Sequence, residues 1–121
     1  MSGKKSVLFV CTGNTCRSPM AEGLFREHVK NRDDIEVKSA GVAAYPGSPA
    51  SAETMAILRD RGIELGGFAS QPVGEQLIRE ATHVFAMTGR HLQALQALFP
   101  DFEDKFYLVC EFADLPGRGV A

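Results

Sequence analysis

Ser6-Val7-Leu8-Phe9-Val10-Cys11-Thr12-Gly13-Asn14-Thr15-Cys16-Arg17-Ser18-Pro19 is the stretch whose reading decides the fold. Its first six residues are of β-favouring type and apolar without a break from Val7 to Cys11. The lack of alternation predicts a strand covered on both faces, as in a parallel sheet. A helix start follows at once: Ser18 suits an N-cap, Pro19 suits the first helical position, and Glu22 places negative charge in the first turn. Met20, Leu24 and His28, with Ala21, Phe25 and Val29, recur at i, i+4 and predict one buried helix face.

The same alternation continues outward. Ile35 to Gly41 reads as a second strand, Tyr45 to Pro49 as turn, and Ala52 to Arg61 as a helix with Met55, Ile57 and Leu58 inward, stopped by Gly62. Glu75 to Ala81 suits a short helix and Thr82 to Met87 a third strand. Arg90 to Phe99 suits a helix with Leu92, Leu95, Leu98 and Phe99 inward, ended by Pro100. Lys105 to Cys110 makes a fourth strand. Strands and helices in this order predict an α/β, three-layer fold: a parallel sheet with helices on both faces. In such sheets ligands bind at the carboxyl ends of strands, where the strand order reverses.

At 121 residues, with no repeat or low-complexity linker, the chain is expected to be one domain, 1–121. Hydrophobic residues make up 45% and net charge is −2, which excludes disorder as the default state. Thirteen basic against fifteen acidic residues argue against a nucleic-acid binder, so a phosphate preference must be local. The longest early apolar run, Val7 to Cys11, is too short for a membrane span or a signal-peptide core. Three cysteines cannot all pair, and a reduced, cytoplasmic protein is expected.

The chemistry is expected in the loop between the first strand and first helix. Loop N–H groups and the orphan N–H groups of the helix start can converge on one anion. Gly13 and Asn14 tolerate the left-handed backbone that such a loop needs. The same positive field favours a Cys11 thiolate, a usable nucleophile and leaving group. Arg17 offers a planar fork for two phosphate oxygens, and Ser18 can donate a hydrogen bond to the thiolate. A cysteine and an arginine at this separation arise by chance. A strand before them, a glycine between and a Ser-Pro helix start after them together do not.

Val10 to Glu22 resembles the signature of the low-molecular-weight protein tyrosine phosphatase family. Ser39-Ala40-Gly41 and Ala86-Met87-Thr88, closing the second and third strands, match it too, and the likeness runs from about Val7 to about Phe112. The resemblance implies a flavodoxin-like sheet of four parallel strands and a phosphocysteine mechanism without metal or organic cofactor. It makes Cys11 the nucleophile and Arg17, with the N–H groups of Thr12, Gly13, Asn14, Thr15, Cys16 and Arg17, the phosphate site. Asn14 would support the loop and Ser18 the thiolate. Substrates would be phosphorylated proteins, and inorganic phosphate would act as product or inhibitor. Thr15 and Met87-Thr88-x-x-His91 look closer to the bacterial protein-arginine-phosphatase branch. A hydroxyl at residue 15 can accept from a guanidinium N–H where isoleucine, common in tyrosine-specific members, cannot.

Other residues carry less. Cys16 could pair with Cys11 under oxidation and shield it, or simply pack as a small buried side chain. Cys110 suits a core thiol, and the spacing does not suit zinc. His28 and His83 suit structural roles, while His91 follows a strand's carboxyl end and is more interesting. Arsenate reductases share a similar loop, but they need two further clustered cysteines, and Pro19 departs from their pattern. General-acid help is the gap: the family supplies it from an Asp-Pro loop followed by a covering helix, and neither is present. The expectation is a chain shortened before its acid; the other possibility is that Asp114 substitutes. Without an acid, the competing function is a phosphate- or phosphoprotein-binding module that turns over poorly.

Overall fold

The computed structural model describes residues 4–15, 17–65 and 68–109. The elements are β1 (Lys5–Cys11), α1 (Arg17–His28), β2 (Ile35–Gly41), α2 (Ala52–Asp60), α3 (Glu75–Glu80), β3 (His83–Ala86), α4 (Gly89–Leu98) and β4 (Phe106–Leu108). A 3-10 segment, Pro100–Lys105, precedes β4. All strand pairings are parallel and the sheet order is β2-β1-β3-β4. The expected α/β sheet of four parallel strands is therefore present. Its order reverses beside β1, which puts the carboxyl end of that strand at the mouth of the crevice.

Both faces of β1 are covered, which is why its apolar run is unbroken. Leu8 and Val10 pack on one side with Ala40, Val84, Ile78 of α3 and Leu95 of α4. Val7, Phe9 and Cys11 pack on the other with Val37, Phe85 and Phe25 of α1. Phe9 meets the Phe25 ring edge-on at 5.8 Å and stacks on Phe85 at 5.7 Å. The register pairs Val10 with Ala40 and Cys11 with Gly41, so the two strands end level.

Several sequence expectations shift. Helix α1 begins at Arg17, so Ser18 lies inside it and does not cap it. Its buried residues there are Ser18, Pro19, Glu22 and Gly23, whereas Leu24 is exposed. The polar loop in front of the helix dictates this rotation: α1 must turn Ser18 and Glu22 inward to serve it. Gly23 permits close approach to α2, since a Cβ there would stand 2.9 Å from Leu58 Cδ1. Glu22 is buried and hydrogen-bonded, not a solvated first-turn charge. Met55, Ile57 and Leu98 are exposed where inward positions were expected, and His28 is exposed too. Leu58 of α2 and Leu95 of α4 alone bury fully on those helices' apolar stripes.

The N-caps of α2 and α4 were not foreseen. Ser51 caps α2 by accepting from Thr54 N, and Thr88 caps α4 by accepting from His91 N. The fourth strand is shorter than Lys105 to Cys110 because Lys105 ends the 3-10 segment and serves another end. Its Nζ donates to Ile78 O at 3.0 Å and Ala81 O at 2.8 Å, satisfying the carbonyl end of α3.

Candidate active site

Cys11 is the last residue of β1 and only 4% exposed. The loop leaves the strand at Thr12 and re-enters regular structure at Arg17, the first residue of α1. Cys11, Thr12, Gly13, Thr15 and Arg17 surround a depression of about 200 Å³. Cys11 lines it, and its sulfur has two polar neighbours. Ser18 Oγ lies 2.8 Å from Cys11 Sγ, and Asn14 N donates to the same sulfur at 3.2 Å.

Asn14 stands behind this lining, fully buried, with φ 58. Asparagine is among the few side-chain-bearing residues that adopt that left-handed backbone readily. Its Nδ2 donates to Ser18 Oγ at 2.8 Å and to Ser39 Oγ at 2.9 Å, while Oδ1 accepts from Gln71 N at 2.9 Å. Each amide proton is thereby used once and the direction of the chain is set. Ser39 passes its own proton to Glu22 Oε1 at 2.5 Å, and Glu22 Oε2 pairs with Arg26 Nη2 at 2.6 Å. Ser18, already accepting from Asn14, has its proton available for Cys11. That arrangement can place two donors, Ser18 Oγ and Asn14 N, on the one sulfur.

The backbone holds the loop from outside. Val42 N and Ala43 N donate to the carbonyls of Cys11 and Thr12, both at 2.9 Å, and Ser51 N donates to Thr15 O at 2.7 Å. Gly41 is needed at the end of β2: a Cβ there would stand 2.4 Å from Thr12 O. His91, on α4, is 4% exposed and reaches back to the loop, with Nε2 2.8 Å from Thr12 Oγ1 and Nδ1 3.0 Å from Thr88 Oγ1. Burial, and then the charges of Arg17 and Arg90, push the His91 pKa below its ordinary value.

The loop residues read from the sequence thus meet around one depression. Cys16 and Asp114 lie outside the described residues, as does Cys110. His83 hydrogen-bonds Thr82 and stacks on Tyr107, and His28 stacks on Phe25, both away from the depression. The roles of Ser39, Gln71, Glu22 and Ser51 were missed. Ser39 alone had a local signal, two residues before the glycine that ends a strand beside β1. Among the described residues, no three His, Cys, Asp or Glu side chains gather as a metal site would require.

The family model for low molecular weight phosphotyrosine protein phosphatase matches residues 6–119. The chain belongs to this phosphatase family. Among curated relatives, a protein-arginine-phosphatase of Geobacillus stearothermophilus is 45% identical over 106 residues, which span 88% of this chain and 70% of the relative. The low molecular weight protein-tyrosine-phosphatase YfkJ of Bacillus subtilis is 37% identical over 97 residues, 77% of this chain and 62% of that protein. Among solved structures, a cysteine-to-serine mutant of the YwlE arginine phosphatase, with a phosphorylated active-site serine, aligns at a TM-score of 0.84. It is 38% identical and the alignment covers 88% of this chain and 70% of that one. Among the described residues, no helix of this phosphatase-family chain is long and apolar enough to cross a membrane.

Proposed function

We propose that residues 1–121 act as a single cytoplasmic domain that hydrolyses phosphorylated proteins through a phosphocysteine intermediate. The observation that carries this reading is the Cys11 sulfur in the lining of the loop, with Ser18 Oγ at 2.8 Å and Asn14 N at 3.2 Å. In the first step Cys11 Sγ attacks phosphorus and the bond to the leaving group breaks. In the second, water attacks phosphorus, the thiolate leaves, and inorganic phosphate is released. Arg17 and the loop N–H groups follow the charge of the transferring phosphoryl group. The Ser18 hydroxyl eases departure of the sulfur in the second step.

The substrate preference we favour is phosphoarginine over phosphotyrosine. Thr15 lines the depression, and its hydroxyl can accept from a guanidinium N–H as the N–P bond breaks. Relatives named for either activity exist, and the arginine phosphatase of G. stearothermophilus has the higher identity of the two compared. The leaving group needs a proton, and Asp114 is the alternative source of it that we weigh. A phosphoprotein-binding role with slow turnover is the second reading, favoured if Asp114 does not serve.

Matched turnover of phosphoarginine and phosphotyrosine peptides tests the proposal. Wild type is expected to release phosphate from both and faster from phosphoarginine, and Cys11→Ser to abolish release while still binding inorganic phosphate. Binding without multiple turnover would establish the second reading instead. Asp114→Asn tests the acid separately: an unchanged rate excludes Asp114 from that role.

A further inference from the structure

Thr12 opens the loop, yet its side chain is held from across the fold. The His91 ring reaches its hydroxyl from α4 at 2.8 Å, and the other ring nitrogen lies 3.0 Å from Thr88 Oγ1. Thr88 Oγ1 also accepts the His91 backbone N–H as the helix cap. One lone pair of that hydroxyl is therefore committed, and its proton has His91 Nδ1 as an acceptor at hand. A neutral ring that accepts at Nδ1 must carry its proton at Nε2. In that tautomer the Nε2–H donates to Thr12 Oγ1, and the Thr12 proton is left to point elsewhere. Thr12 is exposed and borders the same depression as Cys11, Gly13, Thr15 and Arg17, so a free Thr12 hydroxyl proton can be offered to an anion bound there.

We propose that His91 is a positioning residue: tethered by Thr88, it turns the Thr12 hydroxyl into a donor aimed at a phosphoryl oxygen above Cys11. The opposite tautomer would draw the Thr12 proton onto Nε2 and face the anion with oxygen lone pairs. Burial and the flanking charges of Arg17 and Arg90 keep the ring neutral, so that its tautomer, rather than its charge, controls Thr12. This assignment rests on the phosphate-binding part of the proposed function and adds a side-chain donor to the backbone N–H groups of the loop.

The test is the affinity for inorganic phosphate, measured by titration calorimetry, alongside kcat and KM for a phosphoarginine peptide. A hydrogen bond to a charged group is worth enough that Thr12→Val should weaken phosphate binding about tenfold. His91→Leu should weaken it similarly. The double variant should be no weaker than Thr12→Val alone, because both remove one interaction. His91→Gln, whose amide can donate at a similar reach, should restore affinity to within about twofold of wild type. Additive losses, or a His91→Leu variant that melts early but binds phosphate normally, would overturn the assignment. Should His91→Leu fail to fold, undiminished phosphate affinity in Thr12→Val overturns it equally. A wild-type protein that binds phosphate but does not turn over peptide would refute the phosphatase reading and leave this one to be decided by the binding series.

Discussion

Asn14 combines an unusual backbone with a fully used side chain. At φ 58 a β-carbon is tolerated only at a cost, and that cost is offset by three side-chain hydrogen bonds to Ser18, Ser39 and Gln71 N. Asn14→Ala keeps the strain and removes the bonds, leaving the half-buried Gln71 N–H without its acceptor and the Ser18 and Ser39 hydroxyls each one donor short. The expected loss is about 3–5 kcal/mol of stability, read by denaturant melts. Turnover should fall as well, since Ser18 is no longer turned toward sulfur. Asn14→Asp is informative beside it: it retains the acceptor for Gln71 N but supplies no donors, so it should also fail to orient Ser18. Thr15 carries a different expectation. Thr15→Ile should shift the ratio of phosphoarginine to phosphotyrosine turnover toward phosphotyrosine by about tenfold or more; an unchanged ratio would mean that Thr15 serves only to shape the wall.

At the scale of elements, the close pairing of the β1–α1 loop with the end of β2 makes one glycine decisive. Gly41→Ala would bring a Cβ to 2.4 Å from Thr12 O and 3.0 Å from Asn14 N, both backbone atoms with little room to give. The loop must shift, and the expected outcome is a loss of about 1–3 kcal/mol in stability with a larger fall in phosphate affinity. Gly23→Ala is the contrast. Its nearest atoms belong to the Leu58 side chain, which can move, so stability should fall while phosphate affinity stays near wild type. The elements themselves were largely legible: the unbroken run of Val7 to Cys11 gave the doubly covered strand, and β2, α3 and β3 lie where their patterns put them. Helix faces were not. An apolar stripe at i, i+4 assumes that a helix turns its most hydrophobic side inward, whereas α1 turns Ser18 and Glu22 inward because the loop needs partners. Likewise the nucleophile, the arginine and the loop could be read from one contiguous stretch. The roles of Ser39, Gln71 and Glu22 could not, because Ser39 and Gln71 reach Asn14, and Glu22 reaches Ser39, only once β2 lies beside β1.

For the molecule as a whole, His91 links protonation to stability. Burial, Arg17 and Arg90 depress its pKa in the folded chain, so the unfolded chain binds that proton first. The stability associated with a neutral His91 is complete above the unfolded pKa of about 6.5 and is lost as pH falls from there through the depressed folded value. Urea midpoints measured from pH 7.5 down to 5 should therefore fall, and His91→Gln should flatten that part of the slope. An identical slope in the variant would assign the acid sensitivity to other groups.

The partners of the loop are also far apart along the chain, and this orders events in time. Thr12 and His91 are 79 residues apart, and Asn14 and Gln71 are 57 apart. During synthesis at ~5–20 residues/s, the cysteine precedes its most distant support by roughly 4–16 s. Through that interval the nascent chain carries its nucleophile on a tether without the supports that surround it in the folded loop. Reactivity toward phosphorus then arrives all at once, as the last strand crossings close, rather than growing with chain length.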